Sequence, residues 1–423
     1  MCQKIVFPNG LRVLVIPQKN TQAVTVLVLV GTGSKYEEKK LNGISHFLEH
    51  MLFKGTKKRP TSQAISETLD RVGGIYNAFT SDEYTGYFVK VKNSFFDLAL
   101  DWVSDIFLNS TLPDKEVEKE RGVIKEEINM HYDNPMSYIQ ILWTELLYGD
   151  QPAGWPITGT KKSIQRISRR DLINYKNFQY VAKNTLICVA GNFEKKKAIK
   201  TIEKSFSKIK NILPKEKPKT IEKQKEPNLL LHFRKTDQAH ICLGVRGYDL
   251  FHPQRYTLKA LADILGGMMS SRLWTEIREK LNLAYYVFTE TNFSTDTGYL
   301  VTRVGLDVKN IEKGVKTILR EYKKIGQKSV SAKELKKAKD HLKGKMALSL
   351  ETSDNLAFFY GLQELLKKEI FSPEEIYKKF DKIRGSDILK TARDVFRPSK
   401  LNLAIVGPFK EKDKEKFKKL LKF

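Results

Sequence analysis

The sequence predicts an α+β protein built from two homologous domains, and two observations carry that reading. Hydrophobic periodicity gives strands, then helices, then strands, then long helices, not a regular β-α-β alternation. That order then recurs. NTLICVAGNF (184–193) has a counterpart in LNLAIVGPF (401–409), and each closes one copy. AVTVLVLVGTGSKYE (23–37) resembles AHICLGVRGYDLFH (239–252), and DKEVEKERGVIKEEI (114–128) resembles AKELKKAKDHLKGKM (332–346). A repeat of about 200 residues is far longer than the ~20–50 of a solenoid, so it reads as a duplicated domain. Residues 208–228 between the copies are lysine-rich, contain Pro214, Pro218 and Pro227, and show no apolar period. They read as a linker. The expected domains are 1–207 and 229–423.

Taken in order, residues 4–17 alternate around Asn9-Gly10, the strongest short hairpin signal. A β-rich run follows at Ala23–Val30. A helix is expected over about 43–53 with Asn42 placed to cap it, and another over 62–72 that ends at Gly73-Gly74. Strands near 76–80 and 84–91 lead into amphipathic helices at about 94–109 and 114–131.

The 423 residues have 41% hydrophobic and 29% charged side chains, which excludes disordered and collagenous classes. No run approaches the ~18 apolar residues of a membrane span, and the first ten residues read as strand, not as a signal segment. The expectation is a cytoplasmic protein with no membrane partner. Cys2, Cys188 and Cys242 are scattered without CxxC spacing and support neither a disulfide framework nor a thiolate zinc site. Seventy-five basic against 49 acidic residues give a net charge of +26. Lysine dominates and is spread through helices and linker, with no RNP or zinc-finger pattern, so the charge reads as a solvated surface and no nucleic-acid partner is expected.

The chemistry lies in His46-Phe47-Leu48-Glu49-His50. At ~3.6 residues per turn the two histidines fall one turn apart on one helix face with Glu49 beside them. Two imidazoles can grip Zn²⁺ while the carboxylate stands next to an open coordination position, and the order matches the inverted zincin pattern. A catalytic zinc takes a third protein ligand. The helix beginning near Asp114 offers Glu118, Glu120, Glu126, Glu127 and His131. Glu120 and Glu127 are one heptad apart and share a face with Val123, Ile124 and Met130, which predicts that this face points inward. Glu118 and Glu126 read as solvated ion pairs with neighbouring lysines.

This set, with Gly43–Thr56, Gly73–Tyr87 and Gly266–Tyr285, resembles the pitrilysin family of inverzincin metallopeptidases over essentially the whole chain. The resemblance implies two homologous domains per chain, each a largely antiparallel β-sheet with helices packed on one face, pairing into a clamshell dimer. That dimer would be a homodimer or would include a related subunit. It implies His46, His50 and Glu127 as ligands of one Zn²⁺ per chain, Glu49 as general base and Glu120 as the carboxylate supporting a ligand. Asn77 and Ala78 match the edge-strand segment that binds the peptide backbone, and Arg278 and Tyr285 match a pair that binds substrate and stabilises the oxyanion. The second copy is expected to have lost the metal site, with Leu258, Ala262 and Lys345 near the equivalents of His46, His50 and Glu127. The implied activity is peptide-bond hydrolysis on oligopeptides or unfolded segments inside a closed chamber. The alternative is a non-catalytic structural or regulatory subunit.

Overall fold

A computed structural model describes residues 2–422. The first half of the chain gives β1 (Gln3–Val6), β2 (Arg12–Pro17), β3 (Ala23–Val30), α1 (Ile44–Met51), α2 (Ser62–Asp70), β4 (Ile75–Thr80) and β5 (Thr85–Lys92). It continues with α3 (Phe96–Asn109), α4 (Asp114–Asp133), α5 (Pro135–Tyr148), α6 (Lys161–Arg166), α7 (Arg169–Gln179), β6 (Thr185–Gly191) and α8 (Lys195–Ser205). The second half repeats the series from β2 onward. It has β7 (Asn228–Phe233), β8 (Gln238–Arg246), α9 (Arg255–Gly266), a π-helix (Trp274–Lys280), β9 (Val287–Phe293) and β10 (Gly298–Asp307). It ends with α10 (Ile311–Gln327), α11 (Ala332–Ser349), α12 (Ser353–Lys367), α13 (Pro373–Asp381), α14 (Gly385–Val395), β11 (Leu401–Gly407) and α15 (Lys414–Leu420).

The sheets share one topology. Their strand orders are β1-β2-β6-β3-β5-β4 and β7-β11-β8-β10-β9. Each has a single parallel pair, β2 with β6 and β7 with β11, while every other pairing is antiparallel. The closing strands recognised by their repeated sequence, β6 and β11, take the same place in each sheet.

The chain divides into two compact units, 1–129 with 155–218 and 347–371, and 130–154 with 219–346 and 372–423. Each unit therefore contains a helix from the other half of the sequence. In the first unit, Val24, Val26, Val28 and Val30 face the main helical layer with Phe47, Leu48, Trp102 and Ile124. Leu27 and Leu29 point to the opposite face, where they meet Leu356, Ala357 and Leu365 of α12. Strand β3 is a near-continuous apolar run because both of its faces are covered. Gly361 permits the close approach, since a Cβ there would lie 2.8 Å from Leu29 Cδ1 and 2.9 Å from Cys188 Sγ. In the second unit α5 takes the corresponding role, with Ile139, Leu142 and Trp143 packed on Cys242, Val301, Ala404 and Val406. The expected helical layer is thus present, and the opposite face of each sheet carries one exchanged helix. Among the described residues no helix is long and apolar enough to cross a membrane.

Candidate metal centre

Helix α1 is a two-turn element whose Ile44, Phe47, Leu48 and Met51 are buried in the first core, which leaves His46, Glu49 and His50 on the edge facing α4. Burying Phe47 and Leu48 contributes about 1.5–3 kcal/mol each to fixing that face. Gly43 opens the helix at φ +95°, a conformation that favours glycine, and a Cβ there would stand 2.8 Å from both Ile164 Cδ1 and the Thr158 carbonyl. The cap expected from Asn42 is not made. Its side-chain amide instead donates to Glu37 (2.9 Å) and to the Pro156 carbonyl (3.0 Å).

The Nε2 atoms of His46 and His50 lie 3.2 Å apart, and Glu127 Oε2 is 3.5 Å from each. These residues form the one group of His, Cys, Asp and Glu side chains placed to hold a metal ion among the described residues. Ligand atoms ~2.0–2.1 Å from a tetrahedral zinc stand about 3.3 Å from one another, so the three donors fit that ion. Glu120 stands behind them: its Oε2 is 3.0 Å from His50 Nδ1 and its Oε1 is 2.6 Å from Lys54 Nζ. Burial would raise the Glu120 carboxyl, but the bonds to His50 and Lys54 prevail and lower it, so it stays ionised. Burial alone would lower His50, yet the carboxylates of Glu120 and Glu127 raise it to about 9. Glu49 is raised chiefly by burial, and its Oε2 accepts a 2.5 Å hydrogen bond from Thr80 Oγ1 at the end of β4.

The remaining acidic candidates on α4 fall elsewhere. Glu118 pairs with Arg121 (2.9 Å), not with a lysine, and Arg121 also donates to the Ile164 and Ile167 carbonyls. Glu126 is exposed and accepts from Asn129, while His131 bonds Ser137 (2.7 Å). The inward face of α4 is narrower than the spacing suggested. Ile124 is buried, but Val123 is 50% and Met130 60% exposed, because the buried stripe runs through Val117, Glu120, Arg121 and Ile124. Lys54, Thr80 and Glu37 were missed by sequence reasoning. Each lies outside the motif, and folding brings Thr80 to Glu49, Glu37 to the start of α1 and Lys54 to Glu120 on α4.

Asn77 and Ala78 lie on β4, the edge strand of the first sheet, and Asn77 Oδ1 accepts from the Ala78 amide (2.8 Å). In the second unit the Arg278 guanidinium lies 4.3 Å from the Trp274 ring and 5.0 Å from the Tyr285 ring, and donates to the Tyr285 carbonyl (3.0 Å). Tyr285 is 81% exposed. Helix α9 buries Leu258 and Ala262 in its core. One position further on, Lys259 and Asp263 take the polar side. Asp263 pairs with His341 of α11 (3.0 Å), within the electrostatic reach of Lys259 and Lys345.

The model of the insulinase family (peptidase family M16) matches residues 12–161, and that of the M16 inactive domain matches 166–342. An uncharacterised zinc protease of Bacillus subtilis, YmxG, is 34% identical over 96% of this chain and 98% of its own. One from Streptomyces coelicolor is 31% identical over 97% and 90%. Among solved structures, a protease from Helicobacter pylori superposes with TM-score 0.89 at 25% identity, covering 96% of this chain and 99% of that one.

Proposed function

The chain belongs to the insulinase (M16) family of peptidases, and from that premise we propose that it is a zinc-dependent endopeptidase acting on oligopeptides or unfolded polypeptide segments. The supporting observation is the convergence of His46, His50 and Glu127 donor atoms at 3.2–3.5 Å beside the Glu49 carboxylate. These three residues would hold one zinc per chain, whose chemistry when bound is to acidify a water and polarise the scissile carbonyl.

The chain's own groups do the rest. Glu49, one residue before His50 on the same helix, takes the proton of the attacking water and delivers it to the departing amine. Burial raises its pKa towards neutrality and so makes it a better acceptor, while the Thr80 hydroxyl fixes the orientation of the carboxylate. Glu120 holds His50 through Nδ1, which leaves Nε2 for the metal. The free edge of β4 at Asn77 and Ala78 accepts the peptide backbone as an added strand, which favours extended substrates and loose sequence preference. Arg278 and Tyr285 supply donors suited to an oxyanion. Pairing of two chains, alike or related, belongs to the same proposal.

Zinc quantification on protein purified without chelator, with a peptide-library digest read by mass spectrometry, tests the activity. About one zinc per chain and cleavage that disappears in Glu49→Gln are expected. A wild-type protein that binds zinc but cuts no unfolded peptide would reject the catalytic reading.

A further inference from the structure

Both histidines of the centre sit on a helix of eight residues that has no cap of its own: Gly43 offers no side chain, and Asn42 turns away. So short a helix is marginal in isolation, and its rotation must be set from outside. The residue that meets its first turn is Glu37, which lies before it in the chain and is 4% exposed. Glu37 Oε2 accepts from the Gly43 amide (2.7 Å) and Oε1 from the Ser45 amide (2.9 Å), so each carboxylate oxygen is bound to a different backbone N–H of the helix start. The Asn42 side chain adds a donor at Oε2 (2.9 Å), and the Ser45 side chain also interacts with the carboxylate. Ser45 is tied a second time, through its hydroxyl to Tyr175 (2.7 Å) and from there to Thr32 (2.7 Å). The residue after Ser45 is His46.

We propose that Glu37 is a positioning residue for the metal centre, gripping the first turn of α1 with both carboxylate oxygens so that His46 and His50 are held in register with Glu127. The inference rests on the metal site argued above. A buried carboxylate is costly to retain, and among the described residues this one has no ion-pair partner within 4.0 Å. Backbone and side-chain amides are its compensation, together with the positive end of the helix dipole. Burial pushes its carboxyl up to about 7 against the pull of the Ser45, Gly43 and Asn42 donors. The geometric consequence is direct. A turn of about 20° around a helix of ~2.3 Å radius moves each Cα by about 0.8 Å, beyond the ~0.5 Å within which a preorganised site must be held.

Glu37→Gln separates this role from mere packing, because the amide keeps the volume but presents one acceptor and one NH₂. One of the two backbone N–H groups then faces a donor. The measurements are zinc affinity by chelator competition, the visible spectrum of the Co²⁺-substituted protein, and melting of the chelator-treated protein. Zinc affinity should fall tenfold or more and the Co²⁺ bands should shift, with the metal-free melting temperature within a few degrees of wild type. Glu37→Asp, which keeps both oxygens but shortens the reach, should recover part of the affinity. Tyr175→Phe leaves the Glu37 bonds intact and should stay within threefold of wild type. Unchanged affinity and spectrum in Glu37→Gln would overturn the proposal, and so would an affinity loss seen only in variants that no longer fold. Wild-type protein that fails to bind zinc would remove the metal reading itself, whereas tight wild-type binding with unchanged Glu37→Gln binding removes only this inference.

Discussion

Helices α1 and α4 of the first unit and α9 and α11 of the second occupy the same places in the repeated order of elements, and the shortest imidazole–carboxylate contact between the helices of each pair is 3.0 Å. The partners are reversed. In the first unit the imidazole, His50, is on α1 and the carboxylate, Glu120, is on α4. In the second the carboxylate, Asp263, is on α9 and the imidazole, His341, is on α11. Beside the first link stand His46 and Glu127, which with His50 could hold a metal ion. Beside the second stand two ammonium groups, Lys259 and Lys345, which repel a cation. The link between helices and the chemistry of the site are therefore separable properties: the duplicated scaffold keeps the former in both copies and can drop the latter.

The largest expected effect follows at once. His46→Ala, His50→Ala or Glu127→Ala should each abolish zinc binding and peptidase activity together. Glu49→Gln should retain about one zinc per chain and lose at least ~10²–10⁴ in kcat. Full activity in Glu49→Gln would break the distinction between ligand and base. Next, Glu120→Gln weakens the hold on His50 without removing a metal donor. It should lower zinc affinity ~10- to 100-fold, as read by chelator competition, and an effect equal to that of Glu127→Ala would remove the distinction drawn between the two carboxylates.

In the second unit the corresponding change is expected to touch stability alone. Asp263→Ala removes a buried acceptor from His341 and should cost about 1–3 kcal/mol in denaturant unfolding, with zinc content unaltered. Loss of zinc in that variant would contradict the separation of the two centres. The smallest effect is in pH dependence. In chelator-treated protein, His50 is raised to about 9 from an ordinary value of 6.5. Its contribution to stability is then complete below 6.5 and is lost as pH rises through 9. Zinc must displace that proton, so affinity should climb over the same window, with about one proton released per zinc near pH 7.5 in a dye assay. The release should fall away above pH 9, where His50 is already neutral, and release that stayed at one proton per zinc there would assign the proton elsewhere.

Local features of this centre were legible in the sequence because helical spacing alone puts His46, Glu49 and His50 on one face, and a heptad relates Glu120 to Glu127. The strand pairs and the duplication were legible for the same reason, since each is written in neighbouring residues or in repeated ones. Thr80, Lys54 and Glu37 were not, because folding alone brings Thr80 to Glu49, Lys54 to Glu120 on α4, and Glu37 to the first turn of α1. Val123 misled because helical periodicity does not show how wide the buried stripe is, and Met130 because it does not show how far along a 20-residue helix the core extends. Exchange of α5 and α12 was hidden for a related reason: an apolar helix in a repeat carries no mark of which sheet it will cover.

That exchange sets an order of events during synthesis. Leu14, Ile16, Leu27, Leu29, Leu186 and Cys188 form an apolar surface that α12 covers with Leu356 and Leu365. All of its strands have left the ribosome before residue 353 has been made. At a translation rate of ~5–20 residues per second, the half-finished chain must shield bare sheet for many seconds from neighbours with which it could aggregate. An isolated first repeat would lack α12 and expose this surface wherever its own α5 did not fold back over it.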